Sequence, residues 1–190
     1  MTFYMPTRVY EEPDCVAAHA AELATLGTKA MLVTGRHSAK ANGSEAGVTA
    51  ALDAQNVPYC IFNEIEENPS IETVMKARDV AVREGADFFI GIGGGSPLDA
   101  AKAVAVYASN EKLSMDEIYT ANERNKALPI VLVGTTAGTG SEVGRVSVLT
   151  NPDTGRKKSI APDDCFPTLT FADSKYTCSV PYSVTASTAL

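Results

Sequence analysis

Short, almost wholly apolar runs alternate along the chain with longer stretches of helical periodicity. Five runs read as strands: Lys29–Thr34 (KAMLVT), Tyr59–Phe62 (YCIF), Asp87–Gly91 (DFFIG), Pro129–Gly134 (PIVLVG) and Thr168–Ala172 (TLTFA). Gly or Pro bounds them, and they lack the apolar–polar alternation of a sheet with one wet face. Strands buried on both faces read this way. Between them the pattern predicts helices over Asp14–Leu26, Ser44–Gln55, Ile71–Glu84, Pro97–Ala108 and Met115–Tyr119. Ile71–Glu84 is marked at both ends, by Asn68-Pro69-Ser70 before it and Gly85 after it. The alternation predicts an α/β fold: a doubly wound, mostly parallel, Rossmann-like sheet with right-handed crossovers. One β-hairpin insertion interrupts it. Val143–Thr150 and Arg156–Ala161 flank Asn151-Pro152-Asp153-Thr154-Gly155, a run of turn-forming residues. Pro181–Leu190 reads as the start of a helix. The expected division is an α/β domain over residues 1–180 and the first residues of a second, helical unit over 181–190.

Composition narrows the function classes. The 190 residues, 45% of them apolar, suffice for a core of their own. No apolar run approaches the roughly 20 residues that span a bilayer. Met1–Tyr10 lacks a leader pattern, so the expected location is the cytoplasm. A formal net charge of -7 argues against a nucleic-acid partner, which needs a basic face. It does not exclude a phosphate-bearing ligand, because backbone amides at a helix start hold phosphate whatever the net charge. Cys15, Cys60, Cys165 and Cys178 are spaced neither as a disulfide framework nor as a zinc ribbon, and are expected as free thiols. The only histidines are His19, expected solvated on the polar side of the first helix, and His37. Two isolated histidines make no metal-ligand set.

Chemistry concentrates in two loops. Gly91-Ile92-Gly93-Gly94-Gly95-Ser96-Pro97-Leu98-Asp99-Ala100-Ala101-Lys102 follows an apolar strand and opens a helix. Successive glycines let the backbone approach a bulky anion. Ser96 is expected at the N-cap, Pro97 at the first helical position and Asp99 at the third. Asp99 either caps the helix or reaches a ligand. The run is neither a G-x-G-x-x-G fingerprint nor a Walker A loop. The second loop, Thr135-Thr136-Ala137-Gly138-Thr139-Gly140-Ser141-Glu142, follows Pro129–Gly134. In a parallel sheet it emerges at the same carboxyl edge, where ligands bind.

Taken in order, GIGGGSPLDAAK, PIVLVGTTAGTGSEV and the hairpin ending RKKSIAP resemble the iron-containing (group III) alcohol dehydrogenases, from about Lys29 to the last residue. The resemblance implies an N-terminal nucleotide-binding domain, a C-terminal all-helical domain, and a divalent metal, iron or zinc, in the cleft between them. It implies that Gly94, Gly95, Ser96, Thr135, Thr136 and Thr139 line the phosphates and ribose of NAD or NADP. It further implies that Lys158 is the hairpin lysine reaching the cofactor, that Asp99 lies near the nicotinamide, and that Asn68 lies near the adenosine. Family members continue from the stretch matching Thr185–Leu190 into an aspartate and three histidines that hold the metal. The chain is therefore expected to be the cofactor-binding half, with no metal ligands of its own. NAD-preferring relatives often carry Asp where Gly35 stands. Here Arg36, His37, Ser38 and Lys40 follow Gly35 with no carboxylate among them, which favours NADP(H) over NAD(H) and adds Gly35 and Ser38 to the site. The implied activity is metal-assisted hydride transfer between a small alcohol or aldehyde and nicotinamide, in a homo-oligomer. Two alternatives stand beside it: a catalytically silent nucleotide-binding module, and a relative of glycerol dehydrogenase or dehydroquinate synthase.

Overall fold

The computed structural model describes residues 4–120 and 124–189. Leu190, the last residue of the expected second unit, lies outside them. Eight strands occur in chain order: β1 (Arg8–Tyr10), β2 (Ala30–Gly35), β3 (Tyr59–Ile65), β4 (Phe88–Gly93), β5 (Ile130–Gly134), β6 (Ser147–Thr150), β7 (Lys157–Ile160) and β8 (Leu169–Phe171). Six form one sheet in the order β1-β8-β5-β4-β2-β3, every pairing parallel. The other two, β6 and β7, pair antiparallel as the expected hairpin. The helices are α1 (Cys15–Ala18), α2 (Ala20–Leu23), α3 (Ser38–Ala41), α4 (Ser44–Ala54), α5 (Ile71–Glu84), α6 (Gly95–Ala108) and α7 (Tyr182–Ala189). Among the described residues no helix is long and apolar enough to cross a membrane. All four cysteines are free.

Successive strand residues face opposite sides of the sheet, so each strand feeds two cores. Met31, Val33 and Phe89 pack with α5 and α6 on one face. Ala30, Leu32, Phe88 and Ile90 pack with α1, α2 and α4 on the other. This is why the strands are apolar at nearly every position.

Two elements depart from the expected pattern. The predicted helix Asp14–Leu26 is broken at His19, whose φ of -112° and ψ of 22° leave the helical region. Its ring stacks on Tyr10 with centroids 3.6 Å apart, and its Nε2 lies 2.6 Å from Glu12 Oε1. His19 is thus engaged with its neighbours rather than simply solvated. The predicted helix Met115–Tyr119 shrinks to one 3-10 turn, Glu117–Tyr119. Strand β1 was not predicted, because three residues with exposed Arg8 and Val9 carry no apolar run.

Helix α6 places the site. It is buried on almost every side, with Leu98, Ala100, Ala101 and Ala103–Tyr107 all inaccessible, and its small side chains allow that. Gly91 in β4 allows it too. A methyl group there would stand 2.8 Å from Ala101 Cβ and 2.8 Å from Leu132 Cδ2, inside van der Waals contact. The helix therefore lies close on the strand, and its first turn sits at the carboxyl edge between β2 and β4. From β4 the sheet continues to β5, β8 and β1, while β2 and β3 lie on the other side. Such a switch in strand order opens a crevice, and ligands of α/β sheets bind there. Replacing Gly91 with Ala should cost about 1–3 kcal/mol by overpacking. Urea denaturation measures this, and an unchanged midpoint would mean that α6 can move off the sheet freely.

Candidate functional site

The site starts where β4 ends. Gly93 has a φ of 147°, and a methyl group on it would meet Pro97 Cγ at 2.8 Å, so only glycine turns the chain here. Gly94, not Ser96, occupies the N-cap of α6, with φ -79° and ψ -166° and no side-chain cap. The expected capping scheme shifts accordingly: Ser96 lies in the first turn and Asp99 in the second. Amides of a first turn have no carbonyl within the helix to bond, so those of Gly95 and Ser96 are available to a ligand. Ser96 Oγ accepts from the Asn68 N–H at 3.1 Å, which ties the loop after β3 to the start of α6. Asn68 itself adopts a left-handed conformation, φ 55°.

The second loop faces the first. The Thr135 N–H donates to Gly93 O at 2.9 Å. A methyl group at Gly94 would stand 3.2 Å from Thr136 Oγ1, and one at Gly95 would stand 3.3 Å from Thr139 Cγ2. The two glycines thus let the threonine loop close on the first turn of α6, forming a cradle in which first-turn amides lie beside threonine side chains. Three depressions meet at it. A groove of about 460 Å³ is lined by Asn68, Gly95, Ser96, Asp99, Thr139, Ser141, Val148 and Lys157. A second, of about 530 Å³, is lined by Gly35, Arg36, His37, Ser38, Glu66, Glu67 and Gly94. A third, of about 340 Å³, is lined by Ser38, Asn42, Gly94, Thr135 and Thr136. Every site residue expected from the sequence lines one of the three except Lys158.

Lys158 turns away. Its Nζ lies 4.3 Å from the centre of the Tyr119 ring. Lys157, one residue earlier, faces the groove and donates to Asn68 Oδ1 at 2.7 Å. Neighbouring residues of a strand point to opposite faces, so an error of one in register exchanges them.

Asp99 lines the groove, but its carboxylate is engaged. Oδ1 accepts from Ser141 Oγ at 2.5 Å and Oδ2 from the Val148 N–H at 2.9 Å, while its main-chain oxygen accepts from Ser147 Oγ at 2.7 Å. It joins α6 to the second loop and to the hairpin.

The expectation that no carboxylate stands near Gly35 is corrected by Glu66 and Glu67, which arrive from the end of β3. Burial raises the pKa of Glu66, but hydrogen bonds from Ser70 and Thr73 outweigh it and hold the carboxyl below its ordinary range. Glu66 Oε1 accepts from the Ser70 N–H at 2.9 Å and from Thr73 Oγ1 at 3.0 Å. Its place four residues before the Ser70 cap of α5 was the available signal. Ser141 and the buried Lys102 were also missed as parts of the site wall. Among the described residues no group of three or more His, Cys, Asp or Glu is placed to hold a metal ion.

A helix start with unpaired amides beside threonine hydroxyls suits a pyrophosphate. NADH-dependent butanol dehydrogenase A of Clostridium acetobutylicum is 30% identical over 184 residues, covering 97% of this chain and 47% of that protein. NADPH-dependent butanol dehydrogenase of Clostridium saccharobutylicum is 34% identical over 168 residues, covering 86% and 43%. The crystal structure of an iron-containing alcohol dehydrogenase from Thermotoga maritima superposes with a TM-score of 0.93 at 42% identity, covering 98% of this chain and 51% of that one. The chain spans about half the length of the curated relatives it matches. Residues 6–174 match the family model described as iron-containing alcohol dehydrogenase, and the chain belongs to that family.

Proposed function

We propose that these residues form the coenzyme-binding part of an NAD(P)-dependent alcohol dehydrogenase acting on a small alcohol or aldehyde. The observation that carries this reading is the start of α6 at the switch point between β2 and β4, where Gly94 and Gly95 let Thr136 and Thr139 pack close beside first-turn amides. The names of two relatives, one NADH-dependent and one NADPH-dependent, support a nicotinamide coenzyme. When bound, that coenzyme supplies hydride exchange at C4 of its ring.

The chain's own residues bind and orient. Gly94 and Gly95 admit the pyrophosphate, and the amides of Gly95 and Ser96 donate to it with the positive end of α6 behind them. Thr136 and Thr139 offer hydroxyl donors to phosphate or ribose. Asn68 and Lys157 flank the groove, and Lys157 takes the role first assigned to Lys158. Asp99 holds the wall and is not a catalytic acid or base in this reading. No catalytic step is assigned to a metal, because the described residues do not fit one.

Coenzyme preference is decided beside Gly35. Gly35 offers no carboxylate to a ribose 2′-hydroxyl, and Arg36, His37 and Ser38 line the same depression. Glu66 Oε1 is engaged at the start of α5. NADP(H) is the proposed preference.

Three outcomes follow from this placement. Gly94→Val should weaken NADPH binding at least about tenfold by calorimetry, through loss of the pyrophosphate cradle. Equal affinity in the two proteins would remove the pyrophosphate from this loop. Gly35→Asp should reverse the coenzyme order, because its carboxylate accepts from a 2′-hydroxyl and repels a 2′-phosphate. A tighter dissociation constant for NADH than NADPH in the unmodified chain would refute the preference. Lys157→Ala should weaken coenzyme binding while Lys158→Ala leaves it within about twofold, and the opposite order would restore Lys158.

A further inference from the structure

Lys102 stands in α6 behind the groove, and its side chain is completely inaccessible to solvent. Its Nζ donates to Ser141 O, Ser141 Oγ and Val146 O, each at 2.8 Å, and lies 3.5 Å from Asp99 Oδ1. An ammonium has three hydrogens, so these partners saturate it and none is left for a ligand. Burial lowers the pKa of Lys102, while the carboxylate of Asp99 acts in the opposite sense. Nearby Cys165 is a neutral neighbour, its thiol pushed up to about 12 by burial.

The acceptors belong to the stretch Thr135–Val146, which has no regular structure. Its first part carries Thr136 and Thr139, which face the glycine cradle. Its last part carries Ser141, Gly144 and Val146, which line the groove. One other anchor is the bond from Thr170 Oγ1 to Glu142 O. Two main-chain carbonyls and the hydroxyl that also bonds Asp99 therefore converge on a single buried cation.

We propose that Lys102 is a positioning residue for the coenzyme: it clamps the Thr135–Val146 loop against α6 and so sets the width of the groove at the Asp99 end, without touching the ligand. The proposal rests on reading the groove as the coenzyme site. The depression around Gly35–Ser38 has no contact with Lys102, so the clamp acts on one half of the dinucleotide only.

The test is Lys102→Met, which keeps an unbranched side chain one atom shorter and removes its donors. Hydrogen exchange followed by mass spectrometry reads the loop directly, and calorimetry compares NADPH with adenosine 2′,5′-bisphosphate, a probe of the Gly35 side. Amides of Gly138–Val146 should exchange about tenfold faster, those of β4 should be unchanged, NADPH should bind about tenfold more weakly, and the bisphosphate should bind within about twofold of the unmodified chain. Unchanged loop exchange would overturn the proposal. So would equal losses for both ligands, which would mark a general loss of structure. Binding of neither ligand to the unmodified chain would refute the coenzyme reading itself, while loop exchange would still decide the clamp. Should the variant not fold, Ser141→Ala removes one of the three acceptors and should loosen the same segment by about twofold to threefold. No change there would also overturn the proposal.

Discussion

The seating of α6 on β4 is the constraint on which the rest depends. A helix buried on nearly all sides needs small residues where it meets the sheet, and the strand beneath it must give way there. Gly91 does so against Ala101. Once the helix is fixed laterally by that contact and by α5 and the hairpin, its first turn has one position available, at the carboxyl edge of the sheet. The anion binding proposed there would be a consequence of packing as much as of local sequence. The amides of Gly95 and Ser96 would bind little on a helix that swung freely, because preorganisation gives fixed dipoles their advantage.

This local arrangement also resolves an apparent conflict with charge. A chain of net charge -7 is proposed to hold a multiply charged anion. The cradle relies on backbone dipoles and one groove-facing lysine, and two of the nearby carboxylates are already engaged: Asp99 with Ser141 and Val148, Glu66 with Ser70 and Thr73.

Legibility in the sequence followed physical range. The central strands and long helices were plain because burial on both faces leaves continuous apolar runs, and because α5 carries its own stop and start residues. The cradle was plain because its glycines are adjacent. What failed involved either short elements or partners far apart. Strand β1 is three residues long and gains its place only by pairing with β8. The break at His19 depends on a ring nine residues earlier. Lys157 and Lys158 are chemically identical, and only the strand register separates them. The capping scheme failed because α6 begins two residues earlier than composition suggests, with Gly94 at the N-cap. Glu66 and Glu67 lie some thirty residues from Gly35, and nothing local to either stretch shows that β2 and β3 end side by side.

Asn68 closes the site through three bonds: its N–H to Ser96, its carbonyl from Thr150 and its side chain from Lys157, at sequence separations of 28, 82 and 89 residues. Contacts that enclose such long loops form late, because chain entropy must be overcome before they give any return. On a growing chain, the glycine loop is made well before the hairpin that faces it. The groove is therefore assembled on the central strands β2 to β5, while β8, which joins β5 to β1, comes later in the chain still. A ligand that binds only the finished groove stabilises the end state by mass action and cannot guide the early steps towards it. Coenzyme supplied during synthesis would act as a lock on the completed fold, not as a template for it.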